Sequence, residues 1–127
     1  MKASIILIFL FSTVLHSWSQ DGVTIQVDEP AMFPGGTLEL RKFLKTNLQY
    51  PQRAFELALE GKCYLQFVVR KNGSIDSLVV KRGVKECPEC DQEALRLVGI
   101  MPPWIPGRVN GIAVDSYFNL PLIFKLQ

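Results

Sequence analysis

The sequence predicts an α+β two-layer domain, and three observations carry the expectation. They are an apolar stripe at helical spacing, an Asn-Gly turn between alternating segments, and a long alternating run at the C-terminus. Leu40, Phe43, Leu44 and Leu48 stand at i, i+3, i+4 and i+8, one helix face, with Lys42 and Lys45 off it. Thr37 is placed to cap that helix and Pro51 forbids its continuation. A second short helix, Gln52 to Leu59, is expected to stop on a left-handed Gly61.

Lys62 to Lys71 alternates as a strand, with Cys63, Leu65, Phe67 and Val69 on one face and Tyr64, Gln66, Val68 and Arg70 on the other. Asn72-Gly73 is a hairpin signal, and the return strand is expected over Ser74 to Gly83. A two-residue turn sets Leu65 opposite Val80 and Phe67 opposite Leu78. Ile75 does not fit that register and points to a bulge or a longer turn. A helix over Asp91 to Met101 follows, with Ala94, Leu95 and Val98 on its inner stripe and Pro102-Pro103 ending it. In the last strand Val114, Phe118, Leu120, Leu122, Phe124 and Leu126 share one face. Pro121 suits an edge, because proline cannot donate within a central ladder.

The N-terminus reads as a secretory leader over residues 1–19. Met1-Lys2 precedes an apolar run from Ile5 to Leu15 and small residues at Ser17 and Ser19, with a cut expected after Ser19. The alternative is an uncleaved inner-membrane anchor, but the run is short of the ~20 apolar residues a span needs. Export places the chain in the periplasm, where thiols can pair. Residues 20–36 form an extended arm with one β-like piece, Val23 to Val27, and residues 37–127 form the domain.

At 127 residues, 48% of them hydrophobic, one globular domain is expected. The 14 basic and 12 acidic residues give a net charge of +2, which makes no electrostatic case for nucleic acid or an anionic membrane. The single histidine, His16, lies in the leader. Imidazole acid–base chemistry and Ser-His or Cys-His pairs are therefore excluded from the mature chain. No carboxylate pair is set to share a site, and Gly35-Gly36 lacks the strand and Lys-Ser/Thr of a phosphate cradle. Neither an enzyme nor a cofactor, metal ion or small-molecule substrate is expected. Cys63, Cys87 and Cys90 allow one bridge and one thiol, with the pairing open. Cys87-Pro-Glu-Cys90 before a helix also admits a thiol–disulfide reading, although the parallel βαβ context of such enzymes is missing.

The runs Asn47-Leu-Gln-Tyr-Pro-Gln-Arg-Ala54, Glu60-Gly61, Asn72-Gly73-Ser-Ile-Asp76, Asp91-Gln-Glu-Ala-Leu-Arg96, Met101-Pro-Pro-Trp104-Ile-Pro-Gly107 and Phe118-Asn-Leu-Pro121 together resemble the C-terminal domain of TonB. The resemblance covers about residues 30–126 and is nearest to the energy-transducer form of Bacteroidetes-type bacteria, whose upstream extension Phe33-Pro-Gly-Gly36 is similar to. It implies a three-stranded antiparallel sheet with helices on one face and the final strand at an edge. It also implies capture of the TonB box, an N-terminal segment of outer-membrane transporters, as an added strand in energy-coupled transport. On this resemblance Val114, Ser116, Tyr117 and Asn119 line the edge, Gln49 bonds the peptide backbone, Tyr50 gives an aromatic contact, Pro51 fixes the turn and Arg53 meets an acidic partner. The alternatives are structural: Tyr50 over the core, Pro51 ending a helix, Arg53 a solvated charge. Trp104, Pro106, Gly107 and Phe118 read as packing.

Family members carry an inner-membrane helix and a long Pro-rich spacer. The arm here, about fifteen residues, spans roughly 50 Å at most. Recognition therefore carries over better than force transmission, which would need an inner-membrane proton-channel complex acting through another subunit. A freestanding accessory or decoy module is the alternative.

Overall fold

The two alternating segments become the centre of a sheet. The computed structural model describes residues 22–24 and 26–127, so the leader and its cut lie outside the described residues. The elements in chain order are β1 (Val23–Thr24), α1 (Thr37–Asn47), α2 (Gln52–Glu56), β2 (Gly61–Val69), β3 (Ile75–Arg82), α3 (Pro88–Gly99), β4 (Gly107–Val109) and β5 (Ile112–Phe124). β2 lies between β3 and β5, antiparallel to both, as the α+β expectation requires. Two short strands are additional: β1 runs parallel to β5 on the side away from β2, and β4 forms a hairpin with the start of β5.

Alternation sends Cys63, Leu65, Phe67 and Val69 of β2 and Leu120, Leu122 and Phe124 of β5 into the core. Above them α3 buries Cys90, Glu93, Ala94, Leu97 and Val98. Leu97 and Val98, at i+3 and i+4 from Ala94, share its inner face, and Leu95, expected there, is half-buried at its margin. Trp104 joins the layers. Its ring lies 5.7 Å from Phe33 of the arm, 5.3 Å from Phe67 and 4.7 Å from Phe118, all edge-on, a favoured aromatic geometry.

The hairpin keeps Leu65 opposite Val80, but Phe67 does not pair with Leu78. The register shifts between Gln66 and Val68, where Ser77 has a φ of 56°, so a bulge absorbs the misfit that Ile75 announced. The turn is longer than two residues: Val69 pairs with Ile75, and Arg70 N–H donates to Ser74 O at 2.8 Å. Gly73 has a φ of 90°, and a Cβ there would stand 2.5 Å from the Trp104 carbonyl oxygen, so only glycine lets this turn dock on the Trp104 loop.

Two helix-end expectations are corrected. Thr37 is the first helical residue, and Gly36 (φ 90°) occupies the cap position with no side-chain bond. Gly61 opens β2, and the left-handed residue closing α2 is Ala58, φ 55°. There Leu59 N–H donates to Ala54 O at 2.8 Å and Ala58 N–H to Phe55 O at 3.2 Å, the paired bonds of a Schellman end. An L-residue with a Cβ is strained in that conformation by ~1 kcal/mol. Ala58→Gly is therefore expected to stabilise the protein by about 0.5–1 kcal/mol, read as a raised midpoint in urea unfolding with unchanged slope.

Candidate functional site

The backbone of β5 is committed on one side only. From Ser116 to Phe124 it pairs with β2 in nine successive positions. On its other side β1 meets only Asp115 and Ser116, and β4 pairs with Ile112 to Val114 in a separate hairpin. Tyr117 to Phe124 therefore presents eight residues of open edge with no strand partner among the described residues. Alternate N–H and C=O groups along such an edge point outward and are satisfied only by water or an added strand. Tyr117 (43% exposed), Asn119, Pro121 and Ile123 (55% exposed) turn away from the core beside it.

β3 supplies the sheet's other edge, but the bulge at Ser77 breaks its line, and Asp76, Lys81 and Arg82 are exposed along it. Bulges and charges blunt an edge. β5 has neither over Tyr117–Phe124, and Pro121 removes a single donor.

The expectation that the edge is open from Val114 onward is corrected. Val114 pairs with Gly107 of β4, and Ser116 pairs with Thr24 of β1 and is 2% exposed. The arm is held beside Ser116 by two straps: Asp28 N–H and Glu29 N–H donate to Arg108 O, and Met32 exchanges backbone bonds with Ile105 at 2.9 and 2.8 Å. Of the four expected edge residues, Tyr117 and Asn119 lie on the open stretch.

Gln49, Tyr50 and Pro51 sit elsewhere, on a groove of about 470 Å³ whose other wall is α3 residues Glu89, Gln92, Glu93 and Arg96. Gln49 N–H donates to Glu93 Oε2 at 2.8 Å. The Tyr50 hydroxyl donates to Leu59 O, and its ring stands edge-on to Phe124 at 5.7 Å, which links the groove to the end of β5. Burial, reinforced by Glu60, raises the Tyr50 phenol above its ordinary range. Pro51 caps α2.

Arg53 is engaged within the chain: its guanidinium grips both Glu89 oxygens and the Glu86 carbonyl. The same grip, with the Glu89 backbone N–H assisting, holds the Glu89 carboxyl down at about 2. Burial pushes Glu93 upward, but Arg96 and the Gln49 N–H outweigh it and leave the group below its usual value. Arg96 also donates to Asn47 O at 2.9 Å, so one ion pair ties the end of α1 to α3. In the sequence Glu93 reads as a helix-start carboxylate suited to the positive end, and its i, i+3 spacing to Arg96 is the signal that points to the pair.

The bridge joins Cys87 and Cys90, and Cys63 keeps its thiol. All three are fully buried, so no sulfur is offered to a substrate. Burial first, then Asp91, pushes the Cys63 thiol up to about 12, far from the reactive thiolate range. Among the described residues no helix is long and apolar enough to cross a membrane, and no three potential metal ligands cluster.

The sequence pattern of the family described as Gram-negative bacterial TonB protein C-terminal matches residues 46–126. The fold is similar to the NMR structure of the TonB C-terminal domain of Helicobacter pylori, with a TM-score of 0.53 at 15% identity over 71% of this chain and 79% of that one. No curated protein matches the chain.

The Arg53–Glu89 ion pair sets a pH dependence. Glu89 titrates near 2 when folded and at ~4.3 when unfolded, so its contribution is full above pH ~4.3 and is lost as the pH falls toward 2. In an NMR pH titration, Arg53→Gln is expected to return the Glu89 carboxyl toward ~4.3 and to flatten the loss of stability over that window. A Glu89 midpoint unmoved by the substitution would refute the assignment.

Proposed function

Because the chain belongs to the family of the Gram-negative bacterial TonB C-terminal domain, we propose that it captures an extended segment of an outer-membrane transporter on the open edge of β5. The family is transport-associated, non-enzymatic and periplasm-facing, and its members interact with outer-membrane transporters. The observation that carries the finer reading is the edge itself: an eight-residue stretch, Tyr117–Phe124, whose outward backbone groups have no strand partner among the described residues and whose opposite side is held by β2. Main-chain bonds would supply affinity, and the outward row of Tyr117, Asn119, Pro121 and Ile123 would sort side chains.

On this reading the chain is exported, with its leader cut after Ser19, and works in the periplasm. Force from the inner membrane reaches it through a proton-channel complex and another subunit. Gln49, Tyr50, Pro51 and Arg53 act indirectly, by fixing the loop that packs on Phe124.

Strand addition has a signature that side-chain docking lacks. Every second N–H of an added strand faces the sheet, and the rest face water. A transporter N-terminal peptide N-methylated at every second residue is expected to keep its affinity in one phase and lose it at least tenfold in the other. Equal binding by both phases, measured by titration calorimetry, would exclude strand addition. Tyr117→Ala is expected to weaken the unmodified peptide by about 1 kcal/mol, or roughly fivefold.

A further inference from the structure

β1 already does to β5 what an incoming strand is proposed to do. Val23 and Thr24 pair in parallel with Asp115 and Ser116, on the side of β5 opposite β2. The segment Gly22-Val-Thr-Ile-Gln-Val-Asp28 alternates β-branched with polar residues, the chemistry of an extended ligand. The pairing stops after two residues, because the chain turns to Arg108, where Asp28 and Glu29 are bonded. Only residues 25–27 separate this strap from β1, so β1 is tethered beside the edge and held by little.

A second feature marks the same spot. The Ser116 hydroxyl is buried with no hydrogen-bond partner among the described residues. It lies where Gly107 crosses beneath Glu29 and Ala31: a Cβ at Gly107 would come within 2.9 Å of Ser116 Oγ and 3.2 Å of Glu29 O. A buried hydroxyl left unpaired makes the seated arrangement less stable than a fully paired one.

We infer that β1 is a resident occupant of the capture edge, a displaceable strand that competes with the partner segment and sets its affinity. The inference rests on the edge-capture reading above and adds its regulation. With β1 seated, an incoming strand has Tyr117 to Phe124. With β1 displaced, it gains Asp115 and Ser116. Two segments claiming one edge are mutually exclusive where they overlap, and a short tether gives the resident an effective concentration of about a millimolar.

The test uses the full chain and a labelled synthetic peptide copying residues 22–30 (GVTIQVDEP), followed by fluorescence anisotropy. Val23→Pro with Thr24→Pro removes whichever backbone donor faces β5, and Val23→Asp removes the buried valine by a separate route. Val23 lies outside the main core cluster, so both variants are expected to keep the thermal midpoint of the domain within a few degrees. Both are expected to bind the arm peptide about tenfold tighter than the unmodified chain, since the resident competitor is gone. Equal binding by variant and unmodified chains overturns the inference. So does failure of the variants to bind at millimolar peptide, which would mean that the arm has no affinity for the edge at its own effective concentration. If the variants bind the arm peptide but no transporter peptide, the partner reading falls and the resident strand stands.

Discussion

Nine successive residue pairs between β2 and β5 are the constraint on which the rest depends. They fix the register of the longest strand, so that Leu120, Leu122 and Phe124 enter the core and Tyr117, Asn119, Pro121 and Ile123 do not. A one-residue slip would reverse both sets, and the buried face of β2 opposes such a slip at every step. The same pairing uses up one side of the β5 backbone and leaves the other side as edge. Structure and proposed capture thus follow from one ladder.

The remainder of the fold holds that ladder rigid at its ends. At one end the Arg70 guanidinium bonds both Asp76 oxygens and reaches Asp115, while Lys71 N–H donates to Asp115, pinning the β2–β3 turn to β5. At the other end Tyr50 stands against Phe124, and its loop is held by Glu93 and Arg96. Between them Trp104 fills the space under Phe67 and Phe118. An edge that must hold its shape while a foreign backbone docks benefits from this bracing, since little ordering remains to be done on binding.

What could be read in the sequence was local. The stripe of Leu40, Phe43, Leu44 and Leu48, the alternation of Cys63 to Val69 and the Asn72-Gly73 turn each reflect residues within a few positions of one another. Even the misfit of Ile75 announced the bulge at Ser77. Hidden features were those decided by distant partners. The grip of Arg53 on Glu89 spans 36 positions, and the parallel seat of β1 on β5 joins residues 92 apart. Ala58 adopts a left-handed conformation without glycine because the turn into β2 demands it. The cysteine pairing was open because spacing permits several bridges; the one formed is local, Cys87 to Cys90, and leaves Cys63 a buried thiol. At the candidate site, the strand and its Pro121 were legible, whereas the covering of Val114 and Ser116 by the chain's own segments was not.

The most direct measurement is amide hydrogen exchange by NMR on the isotope-labelled chain, with and without a transporter N-terminal peptide at saturation. The account requires alternate amides across Tyr117–Phe124 to gain protection and the amides of β3 to stay unchanged. Protection appearing instead along Ile75–Arg82, or confined to the groove between Gln49 and Arg96, would contradict it.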